Sequence, residues 1–241
     1  MDKTCNNIAK WLNGKVFEAN AKGIIFGLSG GIDSAVLAGL SKIAFPEDSL
    51  GLIMPCHSNP VDEEHALLVA DSLDLKVEKV DLTETYDQLL QSLNLEGTNN
   101  LATANIKPRL RMITLYYYAQ THNYLVTGAS NKSEIMVGYF TKHGDSGVDL
   151  LPLASFTKTE IREMARCLNI PKIIINKSPT AGLWKNQTDE KEMGFGYDVL
   201  DNYIKKKTGP KDIVEKIDTM YRKSEHKRNF PPIYVPKDYN I

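Results

Sequence analysis

The chain has 241 residues, 42% of them hydrophobic and 24% charged, with 29 lysines and arginines against 30 aspartates and glutamates. These values are typical of one globular domain, and the near-zero net charge argues against a dedicated nucleic-acid-binding protein. No long apolar run or export signal points to a membrane or secreted protein, and three widely spaced cysteines argue against a disulfide framework, so we expect a cytoplasmic protein.

The first half of the chain alternates short apolar runs with helical patterns. Ile8, Leu12 and Val16 have helical spacing and precede the first apolar run. We predict strands at 23–28, 50–54, 77–80 and 124–127, and helices at 35–44, 62–73, 83–93 and 100–120, with a start or a kink near Pro108. Short apolar runs are typical of buried parallel strands, and the helices between them would be crossover connections. The pattern predicts an α/β fold, a parallel sheet flanked by helices.

The second half of the chain carries fewer strand signals. Thr157 and Glu160 have the spacing of a capping box, which predicts a helix that runs to about Leu168. Two further helices are predicted at 197–206 and 211–223, loops at 138–149 and 179–195, a fifth strand or a buried turn at 173–175, and an irregular tail from residue 226. We predict a single domain over 1–241, with its α/β core at about 20–180 and a C-terminal helical segment at about 196–241.

A glycine-rich segment follows the first predicted strand and opens the first helix after it. Its residues are Gly27, Leu28, Ser29, Gly30, Gly31, Ile32, Asp33 and Ser34. Small residues allow backbone N–H groups to approach a phosphate closely, and the helix N-terminus adds partial positive charge. A carboxylate such as Asp33 suits a phosphate site chiefly through a bridging Mg²⁺. The segment lacks the Gly-Lys-Ser/Thr ending of a P-loop. The alternative is a structural turn with Asp33 as an ordinary first-turn acid.

The segment resembles the pyrophosphate loop of the N-type ATP pyrophosphatases, which cleave ATP between the α and β phosphates. Five further motifs occur in order at 105–111, 128–134, 138–149, 178–180 and 226–228. Together with the loop they resemble the ammonia-dependent NAD synthetases over residues 20–230. The resemblance implies a single NAD synthetase domain of the Rossmann-like, adenine nucleotide alpha hydrolase-like fold, in which the core at about 20–180 binds nucleotide.

The resemblance also implies a reaction. ATP would activate the nicotinate carboxylate of deamido-NAD (nicotinate adenine dinucleotide) as an adenylate, and ammonia would displace AMP to give NAD, with pyrophosphate released earlier. This amidation is the last step of NAD biosynthesis. ATP is then a co-substrate, Mg²⁺ the metal, and free ammonia or a separate donor subunit the nitrogen source. The resemblance further implies a homodimer with the deamido-NAD site near the subunit boundary.

The ATP side of the site is carried over residue by residue. The resemblance implies that the loop residues 27–34, together with Ala129, Lys158 and Thr180, bind ATP, and that Asp33 and Lys158 are catalytic. Asp33 and Glu134 each follow a predicted strand, so both would lie at the carboxyl end of the sheet and could share Mg²⁺. A lysine at a helix start opposes the helix dipole, a conflict that a bound phosphate would relieve at Lys158. Ala129 departs from the family, which often has a hydroxyl residue there.

The deamido-NAD side is carried over in the same way. Its implied residues are Arg109, Lys142, Asp149, His226 and Lys227. Arginine suits bidentate contacts with a pyrophosphate, and an aspartate can accept hydrogen bonds from ribose hydroxyls. The alternative for each of these residues is a solvated surface charge.

Two other functions stay open for a chain with this loop. A tRNA-modifying ligase of the same superfamily would be expected to carry a strongly basic surface and often paired cysteines, which this sequence lacks. A non-catalytic nucleotide sensor would have no need for both acids and the loop lysines.

Overall fold

The computed structural model describes residues 1–94, 101–180, 182 and 188–236. The strands are β1 (Gly23–Gly27), β2 (Ser49–Ile53), β3 (Val77–Lys79) and β4 (Tyr124–Val126). The helices of the first half are α1 (Asp2–Glu18), α2 (Ile32–Ala44), α3 (Pro60–Leu73), α4 (Thr83–Ser92), α5 (Leu101–Ala104) and α6 (Ile106–His122). Those of the second half are α7 (Lys132–Val137), α8 (Lys158–Cys167), α9 (Lys172–Ile175), α10 (Asp189–Met193), α11 (Tyr197–Lys206), α12 (Lys211–Lys223) and α13 (Glu225–Arg228).

The four strands form a parallel sheet in the order β3-β2-β1-β4, which confirms the predicted α/β fold. Ile25 pairs with Leu50 of β2 on one side and with Val126 of β4 on the other. The chain runs outward from β1 to β2 and β3, then crosses back to β4 on the opposite side of β1. Such a reversal opens a crevice at the carboxyl ends of the two strands, where ligands bind in open parallel sheets.

Apolar side chains pack on both faces of the sheet. Successive residues of β1 alternate between the two faces, so Ile24 and Phe26 enter one hydrophobic cluster with α1, α2 and α8. Ile25 enters a second cluster with residues of β2 and α6. A third cluster, built around Tyr197 and Leu200, joins α11 and α12 to the end of α7. The C-terminal helices are therefore packed against the helix that follows β4.

The structure differs from three of the elements predicted before residue 226. The 173–175 segment is the end of the short helix α9 and not a strand. The helix predicted at 100–120 is divided at Asn105, and Pro108 lies in the first turn of α6, where its missing N–H costs no hydrogen bond. Helix α10 lies inside the loop predicted at 179–195, of which residues 181 and 183–187 are outside the described part of the chain.

Two further features of the described chain bear on the predictions. After β4 and α7 the chain returns to the sheet at Leu150, which forms a single parallel bridge with Thr127. The tail was predicted to be irregular from residue 226, but residues 226–228 belong to helix α13. Residues 229–236 have no regular secondary structure, as predicted. Among the helices of the described ranges, none has the length and apolar character needed to cross a membrane.

Candidate active site

The glycine-rich segment forms the turn between β1 and α2, as its sequence predicts. Gly30 has a φ of +71°, and a β-carbon there would lie 2.3 Å from the carbonyl oxygen of Asp62, so only glycine fits. The Ser29 and Ser34 hydroxyls are 3.0 Å apart, and the Ser34 hydroxyl also accepts the Ser29 N–H at 3.2 Å. The turn thus holds two hydroxyls beside the N-terminus of a 13-residue helix, an arrangement suited to a phosphate.

Lys158 joins the two acids that follow β1 and β4. Its ammonium donates to Asp33 Oδ2 at 2.5 Å and to Glu134 Oε1 at 3.1 Å, and its side chain is 2% exposed. Burial lowers the pKa of Lys158, but the charges of Asp33 and Glu134 outweigh this effect and raise its pKa above the ordinary value. Burial raises the pKa of Glu134, and the Lys158 charge opposes that rise. The ammonium is therefore a fixed, permanent charge at the edge of the sheet.

The contacts of Lys158 show that it does not need a phosphate to offset its position at a helix start, which was the argument made from the sequence. The predicted capping box opens α8: the Glu160 carboxylate accepts the Thr157 N–H at 2.8 Å, which confirms the helix start. A cation at this position opposes the helix dipole, but the two carboxylates already offset that conflict without a phosphate. The lysine ammonium also lies 4.8 Å from the centre of the Tyr197 ring, a cation–π contact.

Asn131 holds the two acids in place, a role that the sequence reasoning missed. Its amide donates to Asp33 Oδ1 at 2.8 Å, and its side-chain oxygen accepts the Glu134 N–H at 3.0 Å. The Glu134 carboxylate in turn accepts the Asn131 N–H at 3.3 Å, so the two residues form a capping box at the start of α7. An Asn three residues before a Glu is a readable helix-start signal, but its bond to Asp33 spans 98 residues of sequence.

Asp189, at the start of α10, is a second residue that sequence reasoning missed. It is 4% exposed, and Tyr197 donates to its Oδ2 at 2.8 Å. Its Oδ1 is buried and has no hydrogen-bond partner among the described residues. Burial raises the pKa of Asp189, while the nearby Lys158 charge lowers it. The segment that contains Asp189 is predicted as a loop, so no sequence signal singled it out.

The two acids fit a divalent cation by their chemistry. Carboxylate oxygens are the ligands that Mg²⁺ prefers, and Mg²⁺ is commonly held by one or two carboxylates together with substrate phosphates. The Asp33 and Glu134 side chains keep 18% and 16% of their surface exposed, so both are accessible from the cleft. Within the described ranges, no group of three or more metal-ligating side chains is arranged to hold a metal ion. These two acids would therefore need phosphate oxygens to complete the coordination.

One cleft of about 1030 Å³ contains most of the predicted site residues. The ATP-side residues that line it are Gly27, Leu28, Ser29, Gly31, Ile32, Asp33, Ser34, Ala129, Glu134, Lys158 and Thr180. Gly30 is absent from this lining, since it faces Asp62 and α3. Ser130 lies in the lining beside Ala129, so a hydroxyl remains next to the position where the family often has one.

The cationic residues predicted for the deamido-NAD side lie together in the same cleft. Arg109 donates to the Lys142 carbonyl oxygen at 3.2 Å, and Lys142 donates to the His226 carbonyl oxygen at 2.5 Å. Lys227 donates to the Gly138 and Phe140 carbonyl oxygens at 2.8 Å each, and burial lowers the pKa of Lys227. These bonds connect α6, the 138–149 loop and α13, which are far apart in sequence.

Asp149 is placed differently from the other four residues predicted for the deamido-NAD side. One of its oxygens accepts the Tyr116 hydroxyl at 3.0 Å, and the other accepts the Val126 N–H at 2.8 Å. It does not contribute to the lining of the cleft. Burial and the hydrogen bond to Asp149 raise the pKa of Tyr116. In this structure Asp149 connects β4 to α6 through these two hydrogen bonds. Its predicted contact with a ribose stays a prediction.

A sequence model of the NAD synthase family matches residues 4–231 of this chain. The NH(3)-dependent NAD(+) synthetase of Finegoldia magna is 54% identical over 230 residues, which cover 95% of this chain and 94% of the relative. The enzyme of the same name from Carboxydothermus hydrogenoformans is 52% identical over 235 residues, covering 96% and 97%.

Solved structures agree with the sequence comparisons. The NMN synthetase of Francisella tularensis superposes with a TM-score of 0.92 at 34% identity, covering 98% of both chains. The NH3-dependent NAD synthetase of Campylobacter jejuni superposes with a TM-score of 0.82 at 30% identity, covering 97% of this chain and 98% of its own. The family match, the high identity over nearly full length and the shared fold lead to one conclusion. This chain belongs to the NAD synthase family.

Proposed function

We propose that this protein forms NAD by ATP-dependent amidation of deamido-NAD with ammonia, releasing AMP and pyrophosphate, as the last step of NAD biosynthesis. The observation that carries the proposal is one cleft whose lining contains both the glycine-rich turn with Lys158 and the basic residues Arg109, Lys142 and Lys227. Two polyanionic substrates must meet in this reaction, and a cleft lined by cationic groups suits them. The ammonia-dependent relatives at 54% and 52% identity support the same reaction.

The chain's own residues supply mainly binding and charge stabilisation. The backbone N–H groups of the turn, the α2 N-terminus and the Thr180 hydroxyl would bind the ATP phosphates. The Lys158 ammonium would stabilise the negative charge that develops as the nicotinate carboxylate attacks the α phosphorus and pyrophosphate leaves. Ammonia only has to lose protons after it attacks the adenylate, so we assign no general base.

We infer that Asp33 and Glu134 hold the Mg²⁺ that the family uses with ATP. When bound, Mg²⁺ would neutralise phosphate charge and favour departure of pyrophosphate. Asn131 would then serve to fix the directions of both carboxylates, through its bonds to Asp33 and to the Glu134 backbone. Lys158 already neutralises part of the charge of both acids, which limits their mutual repulsion before the substrates bind.

The cationic cluster of Arg109, Lys142 and Lys227, together with the adjacent His226, would bind the pyrophosphate and neighbouring groups of deamido-NAD. We further infer that residues 1–241 act as one domain, in which the core at about 20–180 carries the ATP site and the C-terminal segment supplies His226 and Lys227. All three cysteines are free, which supports a reducing, cytoplasmic location.

The direct test is an assay with ATP, Mg²⁺, deamido-NAD and ammonium, read by an NAD-specific dehydrogenase and by pyrophosphate release. We expect NAD and pyrophosphate to appear in equal amounts. Pyrophosphate without NAD would keep the adenylation chemistry and point to another acceptor. If neither product appears, the proposed function is wrong, and a tRNA substrate or a sensor role would be examined next.

A second acceptor substrate should be tested in the same assay. The Francisella tularensis neighbour with a TM-score of 0.92 is named an NMN synthetase, so the mononucleotide counterpart, nicotinate mononucleotide, is a candidate substrate on the same fold. Deamido-NAD presents a pyrophosphate to the cationic cluster, whereas a mononucleotide presents a single phosphate. We expect kcat/KM to be higher for the dinucleotide, and a higher value for the mononucleotide would reassign the substrate.

We also propose that the enzyme is a homodimer, as the resemblance implies. Ile113 and Tyr117 lie one turn apart on α6 and are 59% and 68% exposed, an apolar surface suited to a subunit contact. Sedimentation equilibrium should give twice the 27.0 kDa mass of one chain, and Tyr117→Glu should shift the mass toward one chain. A wild-type protein that sediments as a single chain at micromolar concentration would contradict the proposal.

A further inference from the structure

The first two backbone N–H groups of α8 are bound by side chains from other helices. The Lys158 N–H donates to the Ser133 hydroxyl of α7 at 3.1 Å, and the Thr159 N–H donates to Asp201 Oδ2 of α11 at 2.7 Å. The first N–H groups of a helix have no partner within the helix. These two contacts supply the missing partners and so stabilise the first turn of α8. Lys158, the residue that joins both site acids, is the first residue of this helix.

Asp201 connects α7 and α8, the helices that carry Glu134 and Lys158. It is 3% exposed, and its Oδ1 accepts the Ser133 hydroxyl at 2.5 Å. Its Oδ2 accepts both the Thr159 N–H and the Thr159 hydroxyl, the latter at 2.6 Å. Ser133 directly precedes Glu134 in α7, and Thr159 directly follows Lys158 in α8. One buried carboxylate is therefore bonded to the chain neighbours of both residues.

The charge of Asp201 is suited to this position. A carboxylate is stabilised at a helix N-terminus by the helix dipole and by hydrogen bonds from N–H groups. A buried carboxylate needs such bonds to offset the loss of water. The apolar contacts of α11 are made by other residues, chiefly Tyr197, Leu200 and Tyr203, so packing alone does not require an acid here.

We propose that Asp201 is a positioning residue that holds Lys158 and Glu134 in register for the ATP phosphates. It does not line the cleft, and it acts through the first turn of α8 and through Ser133. The C-terminal helical segment thereby contributes to the ATP side of the site as well as to the cationic cluster. This inference rests on the proposed function, because it takes ATP to be the ligand that Lys158 meets.

The test is the Kd for ATP in the presence of Mg²⁺, measured by calorimetry on the full chain. Asp201→Asn keeps the volume but replaces one acceptor oxygen by a donor, and we expect ATP to bind about tenfold more weakly, as is common when a partner of a binding residue is lost. The matched control is Asp218→Asn, since Asp218 is a partly buried acid on α12 that accepts a hydrogen bond from the Tyr203 hydroxyl in the same bundle. The control should bind ATP within about twofold of wild type.

A double variant separates positioning from a general loss of structure. If Asp201 acts through Lys158, then Asp201→Asn should change the Kd for ATP little in a Lys158→Met background, since coupled residues are not additive. The same tenfold loss in both backgrounds, or no loss in either, would overturn the inference. In steady-state kinetics the KM for ATP should rise, with the KM for deamido-NAD unchanged. A fall in kcat can accompany this rise, because Lys158 also acts on charge that develops during the reaction. An equal rise in both KM values would indicate a general loss of structure and would contradict the inference.

A second pair of variants covers the case in which Asp201→Asn does not fold. Thr159→Val removes one hydroxyl donor to Asp201 at nearly constant volume, and Thr159→Ser restores it. ATP should bind more weakly to the valine variant, and the serine variant should recover most of the loss. Equal affinities for the pair would contradict the inference. If wild type binds ATP but makes no NAD, the proposed function fails, while these ratios still decide the role of Asp201.

Discussion

Lys158→Met should lower the rate of pyrophosphate release by about 100- to 1000-fold, the loss that follows removal of one charge-stabilising group from an active site. The substitution keeps an unbranched side chain of similar length and removes only the ammonium that lies 2.5 Å from Asp33 and 3.1 Å from Glu134. Because Lys158 would act on charge that develops during the reaction, kcat should fall more than the affinity for deamido-NAD. The measurement is pyrophosphate release under saturating substrates.

The same variant should lose stability in a pH-dependent way. Burial already raises the pKa of Glu134, and loss of the Lys158 charge would raise it further. An acid whose pKa is higher in the folded than in the unfolded state binds more protons when folded, so stability falls as pH rises through that interval. At pH 8 the free energy of unfolding of Lys158→Met should therefore be about 2 kcal/mol lower than that of the wild type. This loss is smaller than that expected for a fully buried ion pair, because both acids are partly exposed. The deficit should shrink toward pH 5.

Urea unfolding at pH 5, 6, 7 and 8 measures this dependence. The matched control is Lys205→Met, which removes a 45% exposed lysine of α11 that pairs at 3.3 Å with Glu160 of α8, the helix that carries Lys158. The control should keep full activity and nearly wild-type stability, since exposed pairs contribute little. A Lys158→Met protein that retains wild-type turnover would remove Lys158 from the mechanism.

Asp33→Asn should also reduce pyrophosphate release by about 100-fold or more while leaving the fold intact. The amide matches the carboxylate in shape but is a poor ligand for Mg²⁺, which prefers charged oxygens. Lys158 still has Glu134 as a partner in this variant, so no buried charge is left alone. The concentration of Mg²⁺ needed for half-maximal rate should rise, and this rise distinguishes a metal ligand from a residue that binds ATP alone.

The control for Asp33 is Asp74→Asn, an exposed acid at the end of α3, far from the cleft lining. It should show wild-type rates and wild-type Mg²⁺ dependence. Removal of metal by a chelator should stop pyrophosphate release in the wild-type protein, and added Mg²⁺ should restore it. Unchanged Mg²⁺ dependence in Asp33→Asn would move the metal site away from this residue.

Several parts of this protein are determined locally and were predicted from the sequence. The turn after β1 needs a glycine because Gly30 adopts a positive φ, and Thr157 with Glu160 forms a capping box at the start of α8. Strands β1 and β2 are short apolar runs that only a sheet covered on both faces can bury. Each of these signals depends on neighbours within a few residues, so the α/β fold and the glycine-rich turn after β1 can be predicted from sequence.

The contacts among Asp33, Glu134 and Lys158 could not be predicted from the sequence, because they depend on the tertiary structure. Lys158 meets Asp33 across 125 residues of sequence, and Asn131 meets Asp33 across 98. Asp201 lies beside α7 and α8 because α11 packs against both helices, and Asp189 is held by the hydroxyl of Tyr197 on α11. Neither acid has a local pattern that indicates such a partner. Local patterns specify where elements begin and end, whereas the partner of a buried charge depends on which elements the sheet order and the hydrophobic clusters bring together.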